Sequence, residues 1–164
     1  MSEFNTNKNI ETENINNEVE NILLDKGINK EKLDDQLDKN KVKAEKLLKN
    51  KEKTEKVLRK AKWLCEMLSN IPFIGKIFDG ISDMCDLISD YNKGLYKNIP
   101  LATIISILAA ILYMVCPVDL LPDALPLIGV LDDAAILYGV SMAAKNDIEA
   151  YNRWKLINNV EEAE

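Results

Sequence analysis

Hydrophobic residues recur at helical spacing through most of the chain, and this pattern predicts an all-α protein. Asn40–Ser69 consists of good helix formers, with lysines between a few apolar positions, which predicts one basic helix; the apolar positions are Leu47, Leu48, Leu58, Leu64 and Cys65. The stretch Asn70–Gly75 ends this pattern, because Pro72 disfavours helix at the residue before it. A second helix is predicted over about Lys76–Asn92, with apolar residues on one side and aspartates on the other as a solvated acidic face.

The most apolar segment comes next. Ile99–Val118 contains 20 consecutive residues without a charge. A helix of that length reaches about 30 Å, the thickness of a bilayer core. Pro100 suits the first turn of this helix and Pro117 ends it, so the usable length falls to roughly 25 Å, a borderline transmembrane span. Because all faces of the helix are apolar, it requires burial in lipid or in protein.

The stretch Cys116–Asp133, which contains three prolines and four aspartates, is predicted to be a turn. An aspartate at position 132 or 133 can cap the helix that follows. The apolar part of that helix, Ala134–Ala144, is about 18 Å long, which is too short to cross a bilayer but long enough to return beside the previous helix. The sequence therefore predicts an apolar helical hairpin at 99–144, closed by a proline–aspartate turn.

These patterns divide the chain into four segments. Residues 1–39 are polar and rich in asparagine, which predicts a disordered or weakly helical tail with no secretory signal. The basic helix at 40–69 follows, and then a helical domain at 70–158 that contains the hairpin. Residues 159–164 form a short acidic tail.

Composition argues against several classes of chemistry. The chain has no histidine, which removes His-based acid–base catalysis and His-activated nucleophiles. None of its six glycines forms a nucleotide-binding loop. The three cysteines are widely spaced among apolar residues, which indicates buried thiols in a reducing compartment. We therefore expect no enzymatic activity and no cofactor.

Charge is unevenly distributed along the chain. The net charge is −6, yet Lys39–Lys62 has eleven basic and three acidic residues. This run is either the solvated side of a helix or a surface for anionic membrane lipid, where each Lys or Arg contributes about 1 kcal/mol. Nucleic acid is not an expected partner, since aromatic residues are not interleaved with the basic ones. Under the positive-inside rule the run lies on the cytoplasmic side, and Tyr151 and Trp154 are candidate interface anchors.

A combination of motifs surrounds the apolar helix. A tyrosine and an Ile–Pro pair precede it, and "PVDLLPD", a further proline, a glycine and a paired aspartate follow it. This combination, within Gly94–Leu137, resembles the YkvA-like family of small prokaryotic proteins, a domain of unknown function. The resemblance implies a helical module that is commonly predicted in membranes, and it implies no activity. Ala124 departs from the bulky residue common there. The matching positions are Tyr96, Pro100, Tyr113, Pro117, Asp119, Pro122, Asp123, Pro126, Gly129, Asp132 and Asp133.

The carboxylates of the turn allow several interpretations. As oxygen donors at the tip of a hairpin they suit Ca²⁺ or Mg²⁺, and ionisable groups near a membrane are functional candidates. Aspartate is also the residue type that turns and helix starts require, and the spacing here matches no EF-hand. Turn formation is the simpler interpretation, and a partner-binding tip is a third. The residues concerned are Asp119, Asp123, Asp132 and Asp133.

From these patterns we expect a non-enzymatic helical protein of the bacterial cytoplasmic membrane, with its N-terminus in the cytoplasm. Its role would be that of an adaptor, assembly or regulatory element that contacts anionic lipid and a second copy or a protein partner. One alternative is a soluble helical binding module with a cation-binding acidic tip, in which the apolar helix is the core. Another is an oligomeric membrane-perturbing or pore-forming effector, since an amphipathic helix precedes the apolar one.

Overall fold

The computed structural model describes residues 30–68, 74–115 and 136–161. These residues form helices, with no strand among them, which confirms the all-α prediction. The helices are α1 (Lys30–Leu48), α2 (Lys51–Leu68), α3 (Ile74–Lys93), α4 (Leu101–Val115), α5 (described over 136–143) and α6 (Lys145–Glu161).

Helix α4 is the centre of the fold. It packs against α1, α2 and α3, and its pairing with α1 is the most extensive of the described helix contacts. Residues 107–112 are all buried, and because they span more than one turn, every face of the helix is covered there. Ala109 and Ala110 leave room for neighbouring helices to come close. The requirement for burial predicted from the sequence is therefore met by protein.

None of the described helices is both long enough and apolar enough to cross a membrane. The span expected at Ile99–Val118 corresponds to α4, which has 15 residues. The second arm expected in the hairpin corresponds to α5, whose Ile136, Leu137 and Val140 are buried in the same core as α4. The turn between the two arms lies outside the described residues.

The single basic helix predicted over 40–69 is wrong, because two helices occupy this segment. The break falls at Asn50, whose side-chain oxygen accepts a hydrogen bond from the Lys53 N–H at 3.0 Å and so caps the start of α2. The buried Thr54 hydroxyl donates to the Leu47 carbonyl at 2.8 Å, which connects the end of α1 to the first turn of α2. Lysines on both sides favour helix, and this concealed the break.

The ends of the other helices agree with the sequence pattern in part. Helix α3 begins and ends within two residues of its predicted bounds. Helix α1 begins at Lys30, inside the segment 1–39 expected to be a polar tail, and residues 1–29 lie outside the described part of the chain.

A glycine ends α3. Gly94 has a φ of +88°, in the left-handed region that side chains other than glycine rarely adopt. Its N–H donates to the Tyr91 carbonyl at 3.1 Å, and the N–H of Leu95 donates to the Asp90 carbonyl at 2.9 Å. This pattern satisfies the last carbonyls of α3 and turns the chain towards α4.

Candidate functional site

Most of the candidate site residues lie outside the described part of the chain. They are Asp119, Asp123, Asp132 and Asp133 and, from the family pattern, Pro117, Pro122, Pro126 and Gly129. A cation site at the turn therefore stays a prediction. Among the residues that the structure does describe, no group of three or more Cys, Asp or Glu side chains is placed to hold a metal ion.

The remaining residues of the pattern lie just before α4, at its start and in its last turn. The Pro100 carbonyl accepts hydrogen bonds from the N–H groups of Thr103 (3.1 Å) and Ile104 (3.3 Å), so this proline lies at the start of the helix. Tyr113 is half-buried against the core. Tyr96 is buried, and this burial, with the nearby Asp147 carboxylate, raises the pKa of its phenol. These three positions therefore have structural roles: Pro100 starts α4, Tyr113 packs against the core, and Tyr96 is buried in the connection before α4.

Tyr96 belongs to an aromatic cluster that joins the α3–α4 connection to α6. Its ring centroid lies 5.3 Å from that of Tyr151 and 5.1 Å from that of Trp154. Tyr151 is 0% exposed. Its predicted role as a membrane-interface anchor is therefore wrong, because its ring is used in packing between helices, and Trp154 is half-buried in the same cluster.

One carboxylate joins three helices. Asp86 on α3 accepts a hydrogen bond from Lys155 Nζ on α6 at 2.6 Å through Oδ2, and its other oxygen contacts Lys62 Nζ on α2. Burial opposes ionisation of the Asp86 carboxyl, but the hydrogen bonds from Lys155 and Lys62 outweigh it and lower its pKa. The carboxylate is therefore charged at neutral pH and holds α2 and α6 against α3.

Two further aspartates of α3 also contact α6. The Tyr151 hydroxyl donates to Asp90 Oδ2 at 2.6 Å, and the Asn152 amide donates to Asp83 Oδ2 at 3.1 Å. We call Asp83, Asp86 and Asp90 together the α3 seam. The prediction of a solvated acidic face is wrong for these three residues, because each accepts a hydrogen bond from α6. A polar interface between helices and a solvated face have the same sequence pattern.

Exposed basic side chains cover α1 and the first half of α2. Three lysines of this run form exposed pairs, with Nζ–O distances of 2.6 Å (Lys39–Asp35), 2.8 Å (Lys41–Asp38) and 2.7 Å (Lys56–Glu52). Such pairs hold their partners weakly. Other exposed basic side chains have no ion pair with any described residue, and we call them the basic surface. They are Lys43, Lys46, Lys49, Lys51, Lys53 and Arg59.

An exposed apolar pair continues the basic surface along α2. Trp63 and Met67 are both more than half exposed. They follow Arg59 at spacings of four and eight residues, so the three side chains lie on one face of the helix. Met67 was not singled out from the sequence, although its spacing from Trp63 is the signal that finds it. A tryptophan beside basic residues is typical of helices at a membrane–water interface.

Two cysteine thiols lie in the packing between helices. Burial raises the pKa of Cys65 and of Cys85 to about 12 each. At neutral pH both thiols are protonated, and a protonated thiol is a poor nucleophile. These two side chains therefore serve as apolar packing groups, as their sequence surroundings predict.

Comparison with known proteins finds two relationships. The chain matches the family model described as "Protein of unknown function (DUF1232)" over residues 103–138, which run from α4 into α5. It is also 32% identical over 81 residues to the uncharacterized membrane protein YkvA of Bacillus subtilis strain 168, in an alignment that covers 49% of this chain and 76% of that protein. No solved structure matches the chain significantly.

Proposed function

The chain belongs to the YkvA-like family of DUF1232 proteins, and from this premise we propose that it is a non-enzymatic protein that attaches to the cytoplasmic face of a bacterial membrane. The basic surface of α1 and α2 contacts anionic lipid, and Trp63 and Met67 insert at the interface. The family relative carries the name of a membrane protein, which supports attachment but not its mode.

The observation that carries the proposal is the exposed and unpaired state of the basic surface. Each Lys or Arg close to an anionic bilayer contributes about 1 kcal/mol, so the six side chains set an upper limit of roughly 6 kcal/mol at low salt. Lys51 and Lys53 are two residues apart and point to different sides of α2, so they do not both face the bilayer. Electrostatic binding alone would be weakened by salt, because screening shortens the range of the attraction to about 8 Å at physiological ionic strength. Insertion of Trp63 and Met67 adds an apolar contribution that salt does not remove.

An adaptor or assembly role needs a second contact surface. Leu156 and Ile157 on α6 are both strongly exposed, and this pair is available to a second copy of the chain or to a protein partner. The α3 seam holds α6 against α3, while the side chains of Leu156 and Ile157 remain exposed on the surface of α6. The protein would then bind lipid through α1 and α2 and its partner through α6.

A second candidate function is a helical binding module without membrane attachment. The observation that favours it is the enclosure of α4 by α1, α2 and α3, which leaves this helix no lipid-facing side over residues 107–112. Both candidates use the same fold, so an experiment on membrane attachment separates them.

Co-sedimentation of the full chain with lipid vesicles tests the proposal. We expect binding to vesicles with about a third anionic lipid, little binding to neutral vesicles, and partial retention at 0.5 M salt. The triple variant Lys43→Gln, Lys46→Gln, Lys53→Gln should lose most of this binding. The matched control Lys145→Gln, Arg153→Gln removes basic residues of α6 and should bind normally.

Two results would decide against attachment through this surface, and a third would change the role of the attached protein. Protein that stays in the supernatant with anionic vesicles supports the binding module instead. Equal binding by the triple variant and the wild type refutes the role of the basic surface. Release of a trapped dye from the same vesicles supports the pore-forming alternative.

A further inference from the structure

The α3–α4 connection, residues 94–100, has an exposed leucine at each of its ends. Leu95 follows the glycine that ends α3 and is 62% exposed. Leu101 is the first residue of α4 and is 52% exposed. Single exposed leucines are common on protein surfaces, so the positions of these two matter more than their exposure.

Both leucines lie where the end of a helix in water usually has a different arrangement. The hydrogen bonds from Gly94 and Leu95 to the end of α3 form a motif in which the residue after the glycine commonly packs back against the helix. Leu95 remains exposed instead. At the start of α4 the first turn contains no acidic residue, although the helix dipole favours one there, and Leu101 and Ala102 are exposed. Both helix ends therefore present apolar side chains outward.

The connection between the two leucines is fixed to the core. Tyr96 and Ile99 are both buried. The Tyr96 ring also packs against Tyr151 and Trp154 of α6. Because the connection is held in this way, contact with a partner through the leucines costs little ordering of the chain.

Backbone groups at this end of the molecule already have partners. The Asp90 carbonyl accepts hydrogen bonds from the N–H groups of Leu95 (2.9 Å) and Tyr96 (3.3 Å). The Tyr91 carbonyl accepts a further one from Lys97 Nζ at 2.6 Å. A polar group without a partner is costly to bring into lipid, which offers no hydrogen bonds. These carbonyls therefore do not oppose entry of the connection into a bilayer interface.

The charge of the connection is positive. Residues 91–118 contain no aspartate or glutamate, whereas Lys93 and Lys97 are exposed. Lys93 lies beside Lys51 of the basic surface, because both line one open depression between α2 and α3. The connection therefore extends the basic surface and complements an anionic bilayer.

The carboxylates beside the connection are engaged with other side chains. These contacts are Glu52 with Lys56 Nζ at 2.7 Å, Glu55 with the Ser89 hydroxyl at 2.8 Å, and Asp147 with the Thr103 hydroxyl at 2.8 Å. An engaged carboxylate repels an anionic surface less than a free one does, because its partner compensates part of its charge.

We propose that the α3–α4 connection is a second point of insertion into an anionic bilayer. Leu95 and Leu101 enter the interface between headgroups and acyl chains, and Lys93 contacts the headgroups. This inference rests on the proposed membrane attachment. Trp63 lies 12 residues after Lys51, about 18 Å along α2. Insertion at both ends of the basic surface holds α2 along the plane of the membrane.

Co-sedimentation of full-length variants with vesicles of about a third anionic lipid tests the insertion. We expect Leu95→Gln and Leu101→Gln each to bind about fivefold more weakly than the wild type, because each variant loses the burial of one leucine. The factor should be the same at about 0.15 M and about 0.5 M salt, since screening does not act on an apolar contribution. Leu156→Gln is the matched control: it changes an exposed leucine of α6 and should bind as the wild type does.

A variant that gains affinity provides a check that a folding defect cannot imitate. Leu101→Trp should bind the same vesicles about threefold more tightly, because tryptophan prefers the membrane interface. Equal losses from Leu101→Gln and Leu156→Gln would refute the insertion. So would a Leu101→Trp variant that binds no more tightly than the wild type.

The two proposals fail in different ways. Wild-type protein that stays in the supernatant refutes membrane attachment, and the insertion with it. Binding that is equal in the wild type and both leucine variants refutes only the insertion. Loss of binding by the leucine variants, with normal binding by the triple lysine variant, keeps the insertion and refutes the role of the basic surface.

Discussion

Replacing Asp86 by asparagine tests whether one carboxylate holds three helices together. The change removes the charge but keeps the size of the side chain, so Lys62 and Lys155 lose their shared partner. Exposed ion pairs contribute about 0.2–1 kcal/mol, whereas removing one partner of a buried pair costs about 3–5 kcal/mol. The Asp86 side chain is 28% exposed and its partners are half-buried, so its pairs fall between these limits.

Because the Asp86 pairs are partly exposed, we expect each lysine to contribute about 1 kcal/mol. The substitution should therefore lower the free energy of unfolding by about 2 kcal/mol at pH 7. Urea unfolding followed by circular dichroism measures this loss. Asp35→Asn is the matched control, because its carboxylate lies 2.6 Å from Lys39, the same distance as Asp86 from Lys155, but is 64% exposed. We expect the control to lose less than about 0.5 kcal/mol.

The pH dependence provides a second check on the same residue. The pKa of Asp86 is lower in the folded protein than its ordinary value of 3.8, so the unfolded state binds its proton first as the pH falls. The stabilisation is complete above that ordinary value and disappears as the pH falls through the folded pKa. The difference between wild type and Asp86→Asn should therefore be constant near neutrality and shrink in strong acid. Equal losses from Asp86→Asn and Asp35→Asn, or a difference that grows in acid, would refute the reasoning.

Three further substitutions test other parts of the fold by the same unfolding assay. Gly94→Ala should lower the free energy of unfolding by about 1 kcal/mol, because the positive φ of this residue strains any side chain. Gly139→Ala, in a helix with open space around it, should raise the free energy of unfolding by about 0.5–1 kcal/mol. Effects of the same sign would contradict this. Leu108→Ala should cost about 2–5 kcal/mol because it opens a cavity in the covered part of α4, and a loss below 1 kcal/mol would mean that α4 is not central. Tyr151→Phe should cost about 1 kcal/mol through its bond to Asp90, and an unchanged stability would show that this bond contributes nothing.

The helices themselves were largely predictable from the sequence. The run of apolar residues before Pro117 indicates a buried helix, and the structure buries α4 on all sides over residues 107–112. The sequence did not decide whether lipid or protein surrounds this helix, because both environments bury the same apolar residues. The break at Asn50 was missed for a different reason: its capping role depends on one hydrogen bond to Lys53, which lies inside a long run of helix-forming residues.

The polar contacts between helices were less predictable than the helices. Asp86 meets Lys62 and Lys155, which are 24 and 69 residues away along the chain, so no local spacing indicates their contact. The basic surface was visible in the sequence because its residues follow one another along Lys39–Lys62. Sites made of neighbours in sequence can be predicted, and sites that depend on helix packing cannot.

The pairing of α1 with α4 has a consequence for the order of folding during synthesis. These helices are separated along the chain by α2 and α3, so the ribosome makes α1 well before its main packing partner exists. At roughly 5–20 residues per second, the apolar side of α1, with Ala44 and Leu47, stays uncovered for several seconds. Such non-local contacts also slow folding, because a long loop must close before they form. We therefore expect the charged side chains of α1 to oppose aggregation of the nascent chain until α4 emerges and completes the core.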